Sequence, residues 1–173
     1  MTKRSFGSKG LKLVECINSN PRYNRWHIRW DVQTVVGENG EDMGVSFMYK
    51  LIEGHKPTMA EVKDIVLSWM NEEIDKKIVG GYEWAGMKVW LSSENQFNYK
   101  AAYDLAVQTG GANLPVTFKF GTTEEPIYHE FKTVEELSSF YMGAMNYINE
   151  TLNEGWKAKD AVDWTPYEEI LSE

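Results

Sequence analysis

The sequence predicts an α+β protein: an N-terminal antiparallel β-meander over residues 1–53, then a small domain over 58–173 in which three helices interleave with two β-hairpins. Three observations predict it. Two segments before residue 53 alternate apolar and polar residues with period two, the spacing becomes helical after "EGHKPT", and Thr-x-x-Glu boxes open two of the helical segments.

In "RWHIRWDVQTVV", Trp26, Ile28, Trp30 and Val32 alternate with His27, Arg29, Asp31 and Gln33, so one face can be buried while the other meets water. "ENGEDMG" follows with Asn39-Gly40, a pair that tolerates the positive φ of a tight turn. "VSFMYKLI" then sets Val45, Phe47, Tyr49 and Leu51 on one side, which completes a hairpin. "LKLVECI" adds a third strand before the "NSNP" turn, where Pro21 marks a break.

Gly54 and Pro57 in "EGHKPT" interrupt the pattern and mark the boundary between the two parts. Thr58 and Glu61 form a capping box, satisfying backbone NH groups that a helix start leaves unpaired. Val62, Ile65, Val66, Trp69 and Met70 form the apolar stripe of that helix, and Gly80-Gly81 supply its left-handed stop. "YEWAGMKVWLS" reads as a short hairpin turning at Ala85-Gly86. Ser93 and Gln96 suit the N-terminus of a second helix, with Phe97, Ala101 and Leu105 on one line and Tyr99 and Tyr103 on another. A helix with rings on two sides is expected to be wedged between neighbours. "PVTFKFGTTEEPIYHEF" is the second strand pair. Thr133 with Glu136 opens the longest helix, which carries Val134, Leu137, Tyr141, Ala144, Met145, Ile148 and Leu152 at helical spacing and is expected to end near Gly155. "KAKDAVDW" reads as a final short helical turn.

The net charge of −8 is unevenly placed. Through Lys56 there are 9 Lys+Arg against 6 Asp+Glu, and from Pro57 onward 9 against 20, so the acidic remainder argues against wrapping nucleic acid. The basic front suits an acidic partner surface, including the C-terminal part of another copy. Cys16 stands alone, so neither an internal disulfide nor a cysteine cluster for zinc can form within the chain. No apolar run reaches the roughly 20 residues of a membrane span, and the N-terminal charges are not followed by the core of a signal peptide.

Reaction chemistry is not signalled. "GGYEWAG" lacks the Lys-Ser/Thr element of a phosphate loop, and "GENGEDMG" lacks the alternating ligands of a calcium hand. His27, His55 and His129 are scattered without an i, i+4 pair to grip a metal. Glu72-Glu73, Glu124-Glu125 and Glu135-Glu136 are adjacent in sequence and point apart, unlike the facing carboxylates of a glycosidase. The expectation is a non-enzymatic protein without metal or other cofactor.

Two groups of residues are candidates for recognition. Trp84, Trp90, Asn95, Gln96, Asn98 and Tyr99 could form a patch in which rings stack on a sugar or peptide and amides read its polar groups, although a helix N-terminus explains the amides without any ligand. Arg25, Trp26, Arg29 and Trp30 are candidate interface anchors, since buried aromatic and Arg residues dominate binding energy. Trp26 and Trp30 share a face with Ile28 and serve equally well as the core of the meander.

Ile78 to Tyr82, then "EWAGMKVWLSSENQFNYKAAYDLA", "LPVTFKF" and "HEFKTVEELSSFYMGAMNYINETLNEGWKAKDAV", follow one another in an order that resembles a domain of unknown function recurring in tail and tail-fibre-associated proteins of bacteriophages and prophages. In that family a helix leads into an aromatic-x-Gly strand pair, an amide-rich "xQxNY" helix start, a second strand pair and a closing helix. Gly86, Gln96, Asn98 and Tyr99 match, and the similarity spans residues 58–163. The resemblance implies a virion structural or assembly protein, made in the bacterial host cytoplasm, whose partners are other virion proteins and copies of itself. It supplies no catalytic residue and does not reach the first 53 residues. A glycan-binding module of a host-recognition apparatus and a tail-fibre assembly chaperone are the alternatives.

Overall fold

A computed structural model of the chain describes residues 2–18, 20 and 24–172, so the break at Pro21 lies outside the described residues. Helix accounts for 44% and strand for 31%, largely segregated along the chain, and the fold is α+β. It divides into two compact units: residues 1–70 with 161–173, and residues 71–160. This differs from a boundary at 53–58, because the sheet cannot complete a core without residues that follow it.

Unit 1 holds β1 (Lys3–Gly7), β2 (Val14–Asn18), β3 (Arg25–Val36) and β4 (Asp42–Glu53) in one antiparallel sheet of order β1-β4-β3-β2. The expected meander is β2-β3-β4, with a turn over residues 37–41 in which Gly40 takes φ 81°. Strand β1 was not expected; "KRSFG" has no alternating apolar pattern and is held by pairing along β4. The residues of α1 (Met59–Gly80) up to Met70 and those of α4 (Thr165–Ser172) supply the rest of the core. Val62, Ile65 and Val66 from α1 and Tyr167 from α4 bury with Val14, Ile28 and Trp30 of the sheet. Each such apolar side chain contributes about 1.5–3 kcal/mol on leaving water. Tyr167 also donates its hydroxyl to the Arg29 carbonyl at 2.7 Å, and burial pushes its pKa up to about 12.

The alternation of β3 fails at Val32, which is 42% exposed. Trp30 faces Met48 but Gln33 faces Ser46, so Asp31 and Val32 together oppose Phe47 in a bulge, with Asp31 at φ 49°. The Asp31 carboxylate accepts from Gln33 Nε2 and pairs with Arg4. Val45, Phe47, Tyr49 and Leu51 do share a side, but it is the side opposite Trp26, Ile28 and Trp30, because Trp26 pairs with Ile52 and Trp30 with Met48. That second face is not simply wetted. Val45 and Phe47 are buried, and β1 and β2 lie at opposite edges, so the 8–13 connection crosses the hairpin there and accepts from Arg29 Nη1 at the Lys12 carbonyl, 2.6 Å away.

Unit 2 runs from the rest of α1 through β5 (Tyr82–Trp84), β6 (Met87–Val89), α2 (Ser93–Thr109), β7 (Val116–Gly121), β8 (Pro126–Phe131) and α3 (Val134–Asp160). Two two-stranded hairpins, β5-β6 and β7-β8, pack rings among the helices. Phe131, Phe140, Leu137, Leu91 and Ala144 are fully buried, with Phe120 at 1% exposure. The Thr58–Glu61 capping box forms in both directions, Glu61 N donating to Thr58 Oγ1 and Thr58 N to Glu61 Oε2, whereas at the second start Glu136 N donates to Thr133 Oγ1 and the Glu136 carboxylate accepts from Lys132 N at 3.4 Å. Helix α3 does not stop near Gly155. It continues to Asp160, and Gly155 is a packing residue, since a Cβ there would stand 2.3 Å from Ile74 Cδ1. The final helical turn expected in "KAKDAVDW" is the last turn of α3, and the closing helix is α4.

Candidate functional site

Sequence places six candidate residues around the start of α2, and the structure divides them between core and surface. Along the segment that runs from the end of β6 into the helix, Val89 and Leu91 are buried at 1% and 0% exposure, while Trp90 between them points outward and is 47% exposed. The N-cap is Ser92, one residue before the expected Ser93; its hydroxyl accepts from Asn95 N. With the helix starting there, Asn95 and Gln96 turn back on the preceding chain. Asn95 Nδ2 donates to the Trp90 carbonyl at 2.9 Å and Gln96 Nε2 to the Leu91 carbonyl at 2.6 Å. The amides therefore act first as part of the helix start.

Trp84 and Tyr99 belong to the core of unit 2. Trp84 touches His129, Phe131, Phe140 and Phe120 at centroid distances of 4.9 to 6.3 Å. Tyr99 is 3% exposed against Phe118 and Phe140, and burial pushes its pKa up to about 12. Tyr99 is too deeply buried to share a surface with Trp90, Trp84 is partly buried in its ring cluster, and Asn98 is exposed. The residues thus do not form one patch.

What remains at the surface is smaller. The Trp90 indole donates from Nε1 to the Gly121 carbonyl at 3.0 Å, and its far edge passes Gly80, where an added Cβ would lie 3.6 Å from Cζ3. Beside it lies a shallow cleft of about 230 Å³ lined by Trp90, Asn95, Lys119, Gly121, Thr122 and Thr123.

Helix α2 presents a second surface that sequence spacing placed inside. Only the line of Tyr99, Tyr103 and Ala106 packs inward, with Tyr103 stacked on Tyr141 at 4.6 Å and 18°. Phe97, Ala101 and Leu105 form an outward ridge, with Phe97 71% and Leu105 48% exposed. The helix is covered on one side and open on the other.

The candidate anchors of unit 1 are mostly internal. Trp30 is 3% exposed, edge-on to Trp69, and Trp26 packs against the same core. Arg29 is 7% exposed; it lies over the Phe47 ring and donates from Nη2 to Glu15 Oε2 at 2.7 Å and to His27 Nδ1 at 2.9 Å. Since a guanidinium only donates, Nδ1 is the acceptor and the His27 proton sits on Nε2. Burial first, then the Arg29 charge, lowers the His27 pKa, while Glu15 opposes them. Arg25 alone of the four is exposed and solvated, paired with Glu53 at 3.0 Å.

The other histidines are each matched with a single carboxylate, His55 with Glu61 and His129 with Glu136. The Thr58 backbone NH, followed by His55, holds Glu61 down at about 2, as the helix start requires of its acid. Among the described residues no group of three His, Cys, Asp or Glu could hold a metal ion, and no helix is long and apolar enough to cross a membrane. Cys16 Sγ neighbours Asn24 Oδ1 at 3.4 Å. Compared with family models, with curated proteins and with solved structures, the chain matches none.

Proposed function

We propose that the chain is a virion structural or assembly protein, associated with a phage tail or tail fibre, that acts by contact with other virion proteins and with copies of itself. The observation that carries the reading is the α2 ridge. Phe97, Ala101 and Leu105 lie on a helix whose opposite side already closes a complete core, so their exposure serves no need of folding. Such a row at i, i+4 and i+8 is the anchor pattern by which helices seat against a neighbouring chain. Unit 2 holds 14 Asp+Glu against 8 Lys+Arg, which suits a partner that flanks its apolar contact with basic residues.

The edge strand β1 of a second copy has that character: Phe6 is 73% exposed and Lys3 and Lys9 accompany it. Ridge against edge strand is a head-to-tail contact, which closes into rings or extends into filaments, the symmetries from which tubular assemblies are built. The order of motifs over 58–163 supports the tail assignment through its resemblance to tail-associated domains.

Light scattering of the full chain tests the contact. A molar mass several times 19.9 kDa is expected, falling to 19.9 kDa in Phe97→Glu/Leu105→Glu and in Phe6→Glu. A monomer at all concentrations would refute self-contact. Mass spectrometry of purified particles and their assembly intermediates tests the wider reading. The chain should be in both if structural, in intermediates alone if a chaperone, and its absence from both would end the proposal.

A further inference from the structure

We propose that the open face of Trp90 and the cleft beside it form a subsite for one pyranose unit of an oligosaccharide. The indole is held without being covered. Its Nε1 edge is tied to the Gly121 carbonyl and its opposite edge passes Gly80, while buried Val89 and Leu91 on either side prevent the residue from turning inward. Among the described residues no other aromatic ring packs on it, whereas Trp84, paired with Met87 in the preceding β5-β6 hairpin, touches four. A pinned, half-exposed indole is a preorganised platform: little side-chain entropy is lost when something stacks on it.

The surroundings select the ligand class. A pyranose has one face of axial C–H bonds, which suits the negative face of an indole, and a rim of hydroxyls that need donors and acceptors together. Asn95 has its Oδ1 free because only Nδ2 serves the Trp90 carbonyl. Lys119 has no ion-pair partner among the described residues and supplies a donor, and Thr123 is an exposed hydroxyl. Thr122 is already engaged, accepting from Glu125 N at 2.9 Å, and keeps the cleft wall in place. A volume of about 230 Å³ falls below the roughly 300–1,000 Å³ of pockets that enclose a drug-sized molecule, so the cleft takes one ring of a chain that continues over the surface. The lysine adds preference for a ring bearing a carboxylate.

This inference does not rest on the α2 ridge or on the tail assignment. Two-dimensional ¹H–¹⁵N NMR of the full chain tests it, with tetragalacturonate, maltotetraose and chitotetraose as probes, each raised to about 10 mM because a single stacked ring gives affinities near the millimolar range. At least one probe should shift the Trp90 indole N–H together with the amides of Asn95, Lys119 and Thr123. Trp90→Ala should abolish the response, Trp90→Phe should weaken it severalfold, and Lys119→Met should weaken the acidic probe most. Retention of signal dispersion in Trp90→Phe separates lost binding from lost folding. No shift with any probe, shifts elsewhere on the molecule, or an unchanged response in Trp90→Ala would overturn the proposal.

Discussion

The guanidinium of Arg29 lies at 7% exposure in unit 1, fanned between Glu15, His27 and the Lys12 carbonyl over the Phe47 ring, whereas unit 2 packs Trp84, Tyr99, Phe118, Phe120, Phe131 and Phe140 against one another with no charged side chain buried among its described residues. Among the described residues, three of the four buried side-chain polar atoms without a hydrogen-bond partner, Trp26 Nε1, Trp30 Nε1 and Arg29 Nε, are also in unit 1. The two units therefore fail in different ways. Ring packing is lost through voids and is nearly indifferent to pH, while a buried cation depends on the charge and donor pattern of each neighbour. Unit 1 needs this arrangement because its loop-covered second face has a carbonyl and a carboxylate to satisfy, which no apolar side chain could do.

The largest expected effect breaks the packing side of that contrast. Phe140 is fully buried and meets Trp84, Tyr99, Phe118, Phe120 and Phe131, so Phe140→Ala leaves a void lined by five rings and should cost unit 2 about 3–5 kcal/mol. Hydrogen exchange resolved by residue, followed through a urea series, would register it at the β7, β8 and α3 amides. Next comes Arg29→Met. It keeps much of the volume but strands the Lys12 carbonyl and Glu15; with Glu15 itself 46% exposed, the loss should be about 2–4 kcal/mol, read at the β3 and β4 amides. An effect of Arg29→Met below that of an exposed Arg25→Met control would remove the assigned role of the buried cation.

Much of this architecture is legible in the chain because its signals are local. Alternation marks β3 and β4, the Thr58–Glu61 and Thr133–Glu136 pairs mark two helix starts, and Ala85-Gly86 marks a turn. What was not legible depends on distant partners. "KRSFG" becomes a strand only by pairing with Val45–Tyr49, and Gly155 reads as a helix end unless Ile74 is known to press against it. Ser92 and Ser93 are equally competent caps, and spacing alone does not choose Ser92 over Ser93. The surface was the least legible part. Helix α2 carries two apolar lines, and periodicity alone cannot say that Tyr99–Tyr103 enters the core while Phe97–Leu105 does not; likewise Trp84 and Trp90 read alike until one meets four rings and the other none.

A smaller effect sharpens the electrostatic side. The folded-state pKa of His27 lies below its ordinary 6.5, so beneath that pH the unfolded chain binds more protons than the fold. Stability of unit 1 should be level above pH 6.5 and decline as pH falls from 6.5 toward the lowered folded value, since a protonated His27 would lose its acceptor at Nδ1 and stand as a second cation beside Arg29. The groups facing it are Glu15 from β2, Arg29 from its own strand and the Tyr49 ring from β4 at 5.0 Å. His27→Gln, which keeps an acceptor but cannot titrate, should flatten this decline at the β3 and β4 amides. A decline of the same steepness in the variant would assign it to other groups, such as the exposed carboxylates whose lowered pKa values act at more acidic pH.

The smallest expected effect tests whether the units can be strengthened separately. The β5-β6 turn has two residues, Ala85 at φ 50° and Gly86 at φ 75°, the left-handed pair of a type I′ turn. Gly86 meets the demand freely, but the Cβ of Ala85 costs about 1 kcal/mol in that region. Asn tolerates the same φ because its amide can bond to local backbone, and unlike Gly it does not loosen the unfolded chain. Ala85→Asn should therefore stabilise unit 2 by about 0.5–1 kcal/mol. Since Ala85 is exposed and makes no core contact, the gain should arise from the backbone alone, slowing exchange at the amides of β5 to β8 and leaving the pH response around His27 as it was. Equal slowing at β3 and β4 would mean that both units unfold in one step, and the contrast between a charge-dependent and a packing-dependent core would then describe one cooperative molecule.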